Sequence, residues 1–136
     1  MILSFIVIDD SELDCFIARK IIGNVSGVKF PVKTFQSSRE ALEAITNDNA
    51  EQKDSNDFIL ILLDLQMPLM NGFQFVEEFE KLSKEIRKKY KVVMLSSTRN
   101  NNDIFRVLTY NTVNHIMEKP LTREKLAAMI VQIEST

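Results

Sequence analysis

The sequence predicts a doubly wound α/β fold, in which one five-stranded parallel sheet lies between two layers formed by five helices. Short apolar runs alternate five times with longer amphipathic stretches, and each connection is long enough to hold a crossover helix. No glycine-rich phosphate loop follows the first run. Five such units favour an open three-layer αβα sandwich, because a closed barrel would need about eight. The 136 residues are expected to form a single domain, residues 1–136.

The first unit consists of a buried strand and an amphipathic helix. Residues 2–8 form an almost continuous apolar run, which indicates a strand that is covered on both faces. Ser11 is well placed to cap the helix that follows, and Gly23 or Asn24 would end it. The apolar residues that recur at helical spacing in this segment are Leu13, Phe16, Ile17 and Ile21.

The second unit pairs an edge strand with a short helix. Pro31 lies within the strand predicted at residues 28–35 and favours an edge position, because proline cannot donate a hydrogen bond to a neighbouring strand. Ser37 or Ser38 is expected to cap the next helix. The polar residues 46–57 then predict a surface loop. The inner face of the helix is predicted to comprise Ala41, Leu42 and Ile45.

The third unit contains the most apolar strand, at residues 58–63, which should therefore be central. A turn at residues 68–72 precedes a helix whose apolar residues recur at spacings of four, three and four. Those residues are Phe75, Phe79, Leu82 and Ile86. The strands and helices of the last two units are predicted at residues 92–95, 100–111, 113–117 and 122–134.

Composition excludes several classes of protein. A formal net charge of −2 argues against a strongly basic nucleic-acid surface. Cys15 is the only cysteine, so no intrachain disulfide can form and no oxidising compartment is needed. The opening apolar run is too short to span a membrane and lacks a basic leader. We therefore expect a cytoplasmic protein with neither direct nucleic-acid binding nor membrane insertion.

Polar side chains follow four of the predicted strands. Asp9 and Asp10 end the first strand, Asp64 the third, Ser96 the fourth and Lys119 the fifth. Because the carboxyl ends of parallel strands meet at one edge of a sheet, these side chains should converge. Three neighbouring carboxylates repel one another unless a cation intervenes, and all-oxygen ligation favours Mg²⁺. A carboxylate can accept a phosphoryl group and an ammonium can neutralise it, so the set is suited to phosphoryl transfer.

Four blocks of sequence, in order along the chain, resemble the motif set of response-regulator receiver domains. They are IVIDDS at residues 6–11, LLDLQMPLMNG at 62–72, VMLSS at 93–97 and EKPL at 118–121. The resemblance covers essentially the whole chain. It implies a flavodoxin-like sheet of order 2-1-3-4-5, and a module of a two-component or phosphorelay system that catalyses only its own phosphorylation and dephosphorylation.

The resemblance also implies a role for each acidic residue. Asp64 resembles the family's phospho-acceptor. Asp10 resembles the residue that binds Mg²⁺ directly beside Asp64, and the backbone carbonyl of Gln66 would be the third protein ligand. Asp9 resembles the second acid, which often acts through a water molecule.

The remaining implied roles concern the groups around the phosphoryl group. Lys119 resembles the lysine that contacts it, and the bond from Lys119 to Pro120 is expected to be cis. Ser96 resembles the switch hydroxyl, and the backbone N–H of Ser97 is a further expected donor. From conformation rather than resemblance, Gly72 is expected to adopt a positive φ in a tight turn.

The chain departs from the family at the position three residues before the lysine, where Ile116 replaces the usual aromatic residue. Coupling through the backbone of residues 96–102 is therefore an alternative to an aromatic rotamer switch. The resemblance also implies that Gln66 and Thr98 occupy the two positions that would flank the phosphoryl group. His115 and Cys15 are interpreted as packing or surface residues rather than as phosphotransfer or nucleophilic groups.

The implied partners are a sensor histidine kinase or a histidine phosphotransfer protein, together with an unidentified downstream protein. The face built from the fourth helix, fifth strand and fifth helix would be the output surface, and a homodimer through it stays open. Whether the protein works alone or belongs to a longer chain also stays open.

Two alternative functions are disfavoured by particular residues. A phosphatase of the haloacid dehalogenase type needs a second aspartate two residues after the first, but Gln66 follows Asp64 and Ser11 follows Asp9 at that spacing. A flavodoxin-like electron carrier needs a small polar phosphate loop after the first strand, whereas residues 9–12 are mostly acidic and would repel a phosphate.

Overall fold

Five parallel strands and six helices make up the regular structure in the computed structural model, which describes residues 1–25, 27–48, 54–97 and 101–135. The strands are β1 (Ile2–Ile8), β2 (Val32–Phe35), β3 (Phe58–Asp64), β4 (Tyr90–Ser96) and β5 (Val113–Glu118). The helices are α1 (Glu12–Asn24), α2 (Ser38–Thr46), α3 (Gly72–Glu80), α4 (Lys84–Arg87), α5 (Asn101–Leu108) and α6 (Arg123–Glu134).

The strands pair in the order β2-β1-β3-β4-β5, all parallel, which confirms the predicted doubly wound topology. β2 is an edge strand, as Pro31 predicts, and the carbonyl of Pro31 accepts a hydrogen bond from the N–H of Phe5 at 2.9 Å. β3 lies at the centre of the sheet, and its apolar sequence reflects burial on both faces.

Alternate residues of the central strand point into two separate hydrophobic clusters. Ile61 and Leu63 pack on the face covered by α2, α3 and α5, whereas Leu60 and Leu62 pack on the face covered by α1 and α6. The strand period of two thus distributes one apolar run between both sides of the sheet. This arrangement is the expected three-layer αβα sandwich.

α1 begins after Ser11, whose side chain accepts a hydrogen bond from the N–H of Asp14, so the predicted cap is confirmed. The stripe that the helix buries is Cys15, Ala18 and Ile22, and the small residues among these fit against the sheet. The more apolar stripe faces outward instead. Leu13, Phe16 and Ile17 are respectively 65%, 56% and 42% exposed.

The long helix predicted after residue 72 is interrupted. α3 ends at Glu80, and the side chain of Ser83 caps the separate short helix α4 by accepting from the N–H of Ile86. A serine hydroxyl satisfies a backbone donor at a helix start and so favours a new helix over a continuous one. Because α4 is additional, the fourth and fifth predicted helices correspond to α5 and α6.

Other boundaries differ in smaller ways. β2 is confined to Val32–Phe35, and the predicted loop begins after Thr46, the last residue of α2. Residues 49–53 of that loop lie outside the described part of the chain, as do residues 98–100, which include Thr98. Among the helices that are described, none combines the length and the apolar character needed to cross a membrane.

Candidate functional site

The candidate site lies at the carboxyl edge of the sheet, where side chains at or just after the ends of β1, β3, β4 and β5 meet. Asp9, Asp64 and Ser96 are buried, Asp10 is exposed, and the side chain of Lys119 is 21% exposed. β1 and β3 are neighbours in the sheet, and the helices that follow them, α1 and α3, pack on opposite faces. Open α/β sheets bind their ligands at such a topological switch point.

Three carboxylates form a cluster at this edge. Single oxygen atoms of Asp9, Asp10 and Asp64 all lie within 4.8 Å of one another. Burial of Asp9 and Asp64 deprives their charges of water, so the cluster favours a bound cation. The donor set is made only of carboxylate oxygens, and one member faces solvent, which leaves room for water ligands. These properties fit Mg²⁺, which binds through a few carboxylates and retains several waters.

Lys119 joins the cluster from the end of β5. Its Nζ lies 3.0 Å from Oδ2 of Asp9 and 3.3 Å from Oδ1 of Asp64. Its backbone N–H donates to the carbonyl of Ser96 at 2.8 Å, which ties the end of β5 to the end of β4. The Lys119–Pro120 bond is cis, as the resemblance implies. The ammonium is therefore held against the carboxylates by its own backbone as well as by charge.

Burial raises the pKa of Asp64 to about 6, because the charged form loses hydration. The charge of Lys119 and hydrogen bonds from Lys119 and from the N–H of Gln66 oppose this rise, whereas the charge of Asp9 adds to it. Burial also works against the ammonium, but contacts with Asp9 and Asp64 hold the pKa of Lys119 above its ordinary value. The pocket therefore contains a firmly charged lysine beside a carboxylate that is less acidic than usual.

Gln66 contributes a side-chain bridge that sequence analysis did not anticipate. Its Nε2 donates to Oγ of Ser96 at 3.4 Å, and its Oε1 accepts from the N–H of Ser97 at 3.3 Å and from the Ser97 hydroxyl at 3.2 Å. The bridge joins the loop after β3 to the end of β4. It therefore links Asp64, two residues away, to the hydroxyl that was assigned a switching role.

The expectation that Gly72 adopts a positive φ is wrong. The loop places its left-handed residue at Leu69, with φ of 68°, and that side chain is fully exposed. Gly72 is required for a different reason, since a Cβ there would lie 2.8 Å from Sδ of Met94 and 2.9 Å from Cα of Leu65. Close packing, rather than backbone conformation, excludes a side chain at this position.

Asp14 is a fourth carboxylate at the site, and sequence analysis missed it. It lies in the first turn of α1, and its Oδ2 is 3.5 Å from Nζ of Lys119. A signal was present in the sequence, because Asp14 comes three residues after the predicted cap Ser11 and therefore lies in the first turn of a helix that starts at the end of the first strand. Strand-end reasoning alone cannot find a residue that reaches the site from a helix.

Cys15 and His115 occupy the sheet–helix framework around the site. Cys15 is buried, and its Sγ donates to the carbonyl of Asp9 at 3.3 Å. Burial, together with the charges of Asp9 and Asp14, raises the pKa of its thiol to about 11, which disfavours a nucleophilic role. His115 lies within β5 opposite Val93, and the neighbouring Ile116 packs against the core on the α3 side.

The carboxyl edge of this open parallel sheet brings together three carboxylates, a hydroxyl and a lysine, an arrangement that is consistent with the phospho-acceptor site of a signalling module. Residues 5–131 match the family model of the response regulator receiver domain, so the chain belongs to the receiver domain family of two-component systems. Membership of this family makes the chain a signalling module rather than an enzyme in the usual sense.

Individual relatives agree with this family assignment. A response regulator receiver protein from Dyadobacter fermentans is 31% identical, with a TM-score of 0.82, and the match covers 97% of each chain. Two-component response regulator 24 from Arabidopsis thaliana is 27% identical over 128 residues, which are 94% of this chain and 81% of that protein. The phosphorylated cyanobacterial phytochrome response regulator RcpA is 26% identical, with a TM-score of 0.72, and the match covers 99% of this chain and 93% of that one.

Proposed function

We propose that the protein is a phospho-accepting response regulator in which Asp64 takes a phosphoryl group from a phosphohistidine of a partner. The observation that carries the proposal is the pairing of Asp64 with Lys119 at 3.3 Å, inside a cluster that also contains Asp9 and Asp10. A lone buried carboxylate would be costly, whereas this one has both a cation partner and neighbours suited to a metal ion.

The proposed reaction is an in-line displacement at phosphorus. A carboxylate oxygen of Asp64 forms the new P–O bond, and the P–N bond of the donor breaks, with its electron pair passing to the imidazole nitrogen. Asp64 must be ionised to attack, and its pKa of about 6 leaves it mostly ionised at neutral pH. Lys119 offers its ammonium to the phosphoryl oxygens, and the buried walls limit the access of water.

The acidic cluster would hold Mg²⁺ through Asp10, Asp64 and the backbone carbonyl of Gln66, with Asp9 acting through a water molecule. When bound, the ion supplies positive charge that offsets the repulsion between the carboxylates and the incoming phosphoryl group. The protein's own part is to fix these oxygens and Lys119 at one edge of a rigid sheet.

The family assignment supports a histidine kinase or histidine phosphotransfer protein as the phosphoryl donor. After transfer, the Ser96 hydroxyl and the Ser97 N–H would bond the phosphoryl oxygens, and both are already connected to the acceptor loop through Gln66. The change would pass to a downstream protein, or to a second copy of the chain, through the face formed by α5, β5 and α6.

The test is labelling by acetyl phosphate in the presence of Mg²⁺, followed by intact-protein mass spectrometry. We expect one added phosphoryl group that is lost in base, and none in Asp64→Asn. Asp54→Asn is the matched control, because Asp54 is an exposed turn residue that precedes β3 at the opposite end of that strand. Equal labelling of Asp64→Asn and the wild type would refute the assignment.

A further inference from the structure

Lys119 contacts three carboxylates, and one of them, Asp14, does not belong to the acidic cluster. Asp9 and Asp64 lie 3.0 Å and 3.3 Å from its Nζ and belong to the acidic cluster that fits a metal ion. Asp14, at 3.5 Å, comes from α1 and is not a member of that cluster among the described residues. A cation bound by the cluster would compete with Lys119 for Asp9 and Asp64, but not for Asp14.

The position of Asp14 is fixed by local structure. The N–H of Asp14 donates to the capping hydroxyl of Ser11 at 3.1 Å. The thiol of the next residue, Cys15, donates to the carbonyl of Asp9 at 3.3 Å, so the first turn of α1 is held at the end of β1. Its side chain is 46% exposed, and it lines a cavity of about 340 Å³ together with Lys119 and Leu121. The ammonium thus has a partly hydrated partner on the α1 side and open space beside it.

We propose that Asp14 is a positioning residue that competes with the phosphoryl group for Lys119. The inference rests on the proposed function, because it assumes that Lys119 meets a phosphoryl group on Asp64. In the unmodified protein Asp14 neutralises part of the ammonium charge, and its own charge repels an incoming anion. Phosphorylation then requires the ammonium to exchange the Asp14 carboxylate for a phosphoryl oxygen. Asp14 therefore tunes the rate of acceptance without binding the metal ion.

The effect of removing this carboxylate on phosphoryl acceptance can be predicted in both size and direction. Asp14→Asn should accelerate labelling by acetyl phosphate and tighten binding of the phosphoryl mimic BeF₃⁻, each by about two- to fivefold, the effect of losing one partly exposed ion pair. Glu12→Gln removes the same charge from an exposed position in the same helical turn and should change both by much less. Asp14→Glu, which keeps the charge, should return both values toward those of the wild type.

The experiment measures initial labelling rates by intact mass and BeF₃⁻ affinity by fluorine NMR, at fixed Mg²⁺ and ionic strength. A double-mutant cycle with Lys119→Ala separates competition for the ammonium from a general charge effect, since Asp14→Asn should lose most of its effect in that background. Without phosphodonor or metal, the ammonium protons of Lys119 should exchange faster with solvent in Asp14→Asn. Asp14→Ser serves as a second variant if thermal unfolding shows that Asp14→Asn is misfolded.

The possible results separate the two proposals. A wild-type protein that takes no phosphoryl group from acetyl phosphate and binds no BeF₃⁻ would refute the proposed function itself. A wild type that labels normally, with Asp14→Asn matching Glu12→Gln or reacting more slowly than the wild type, would overturn only the role of Asp14. An undiminished effect of Asp14→Asn in the Lys119→Ala background would overturn it as well.

Discussion

Gly72→Ala tests whether close packing against the backbone at the end of β3 is what excludes a side chain at residue 72. The added methyl group would lie 2.9 Å from Cα of Leu65 and 3.1 Å from the carbonyl oxygen of Asp64, both of which are backbone atoms. The third neighbour, Sδ of Met94 at 2.8 Å, belongs to a flexible side chain that can turn away. Relief must therefore come from moving the loop after β3, which is closed by the bond from the Gly72 N–H to the Leu65 carbonyl at 2.9 Å.

Overpacking of this kind costs about 1–3 kcal/mol of unfolding free energy. For a chain of this length the loss corresponds to a fall of roughly 4–10 °C in the unfolding midpoint. Gly23→Ala is the matched control, because nothing lies within 4 Å of a Cβ there and the residue is within α1. Helix propensity predicts that this control gains about 0.5–1 kcal/mol. Calorimetry of the two variants beside the wild type measures both shifts. A Gly72→Ala midpoint equal to that of the wild type would refute the packing argument.

Three further predictions concern other parts of the structure. The thiol of Cys15, with its pKa raised from 9.0 to about 11, should alkylate with iodoacetamide at pH 8 about 100-fold more slowly than a thiol of ordinary pKa, and its rate should still rise with pH above 9. In metal-free protein, Asp64→Asn should raise the free energy of unfolding at pH 7 by about 1–3 kcal/mol. The reason is that a carboxylate whose pKa is raised to about 6 by folding destabilises the folded state above pH 6. Urea titrations should show that this gain fades as the pH falls from about 6 to about 4. Glu77→Gln should lower the free energy of unfolding by less than about 1 kcal/mol but should speed amide hydrogen exchange in α5. The reason is that Oε1 of Glu77 accepts from both Arg106, at 3.2 Å, and Tyr110, at 3.1 Å. Unchanged exchange would argue against a restraint on that helix.

The strands were predictable mainly from their apolar runs, and their parallel arrangement from connections long enough to hold a crossover helix, whereas the order 2-1-3-4-5 came from the resemblance to receiver domains. The convergence of Asp9, Asp64 and Lys119 followed from the same reasoning, since all parallel strands end at one edge. That residues 1–136 form a single domain stays a prediction. The Mg²⁺ ligands and the phospho-acceptor also stay predictions, because geometry alone does not test them.

The features that sequence reasoning missed depend on contacts between separate elements. Hydrophobicity alone did not distinguish the buried stripe of α1 from its exposed stripe. The buried residues Cys15 and Ala18 are small, and their size lets the helix pack closely against the sheet. The contact between Asp14 and Lys119 joins residues that are 105 positions apart. The need for glycine at residue 72 is visible only in the folded structure, where the start of α3 lies against the backbone of Leu65 and Asp64 at the end of β3. Each of these facts is tertiary, whereas periodicity and motifs are local.

Because Ile116 stands where the resemblance leads us to expect an aromatic residue, we predict that signal transmission depends on the loops at the carboxyl edge. Ile116 packs into the core beside β4, so no ring is available there to change rotamer. The polar path is continuous by contrast: the Gln66 N–H donates to Asp64, and the Gln66 side chain bonds Ser96 and Ser97, which precede α5. A phosphoryl group that accepts from the Ser97 N–H would compete with Oε1 of Gln66 for that donor, whereas the Ser96 hydroxyl can donate to the phosphoryl group while its oxygen still accepts from Gln66. The movement would then reach α5 through the backbone, against the restraint that Glu77 places on that helix.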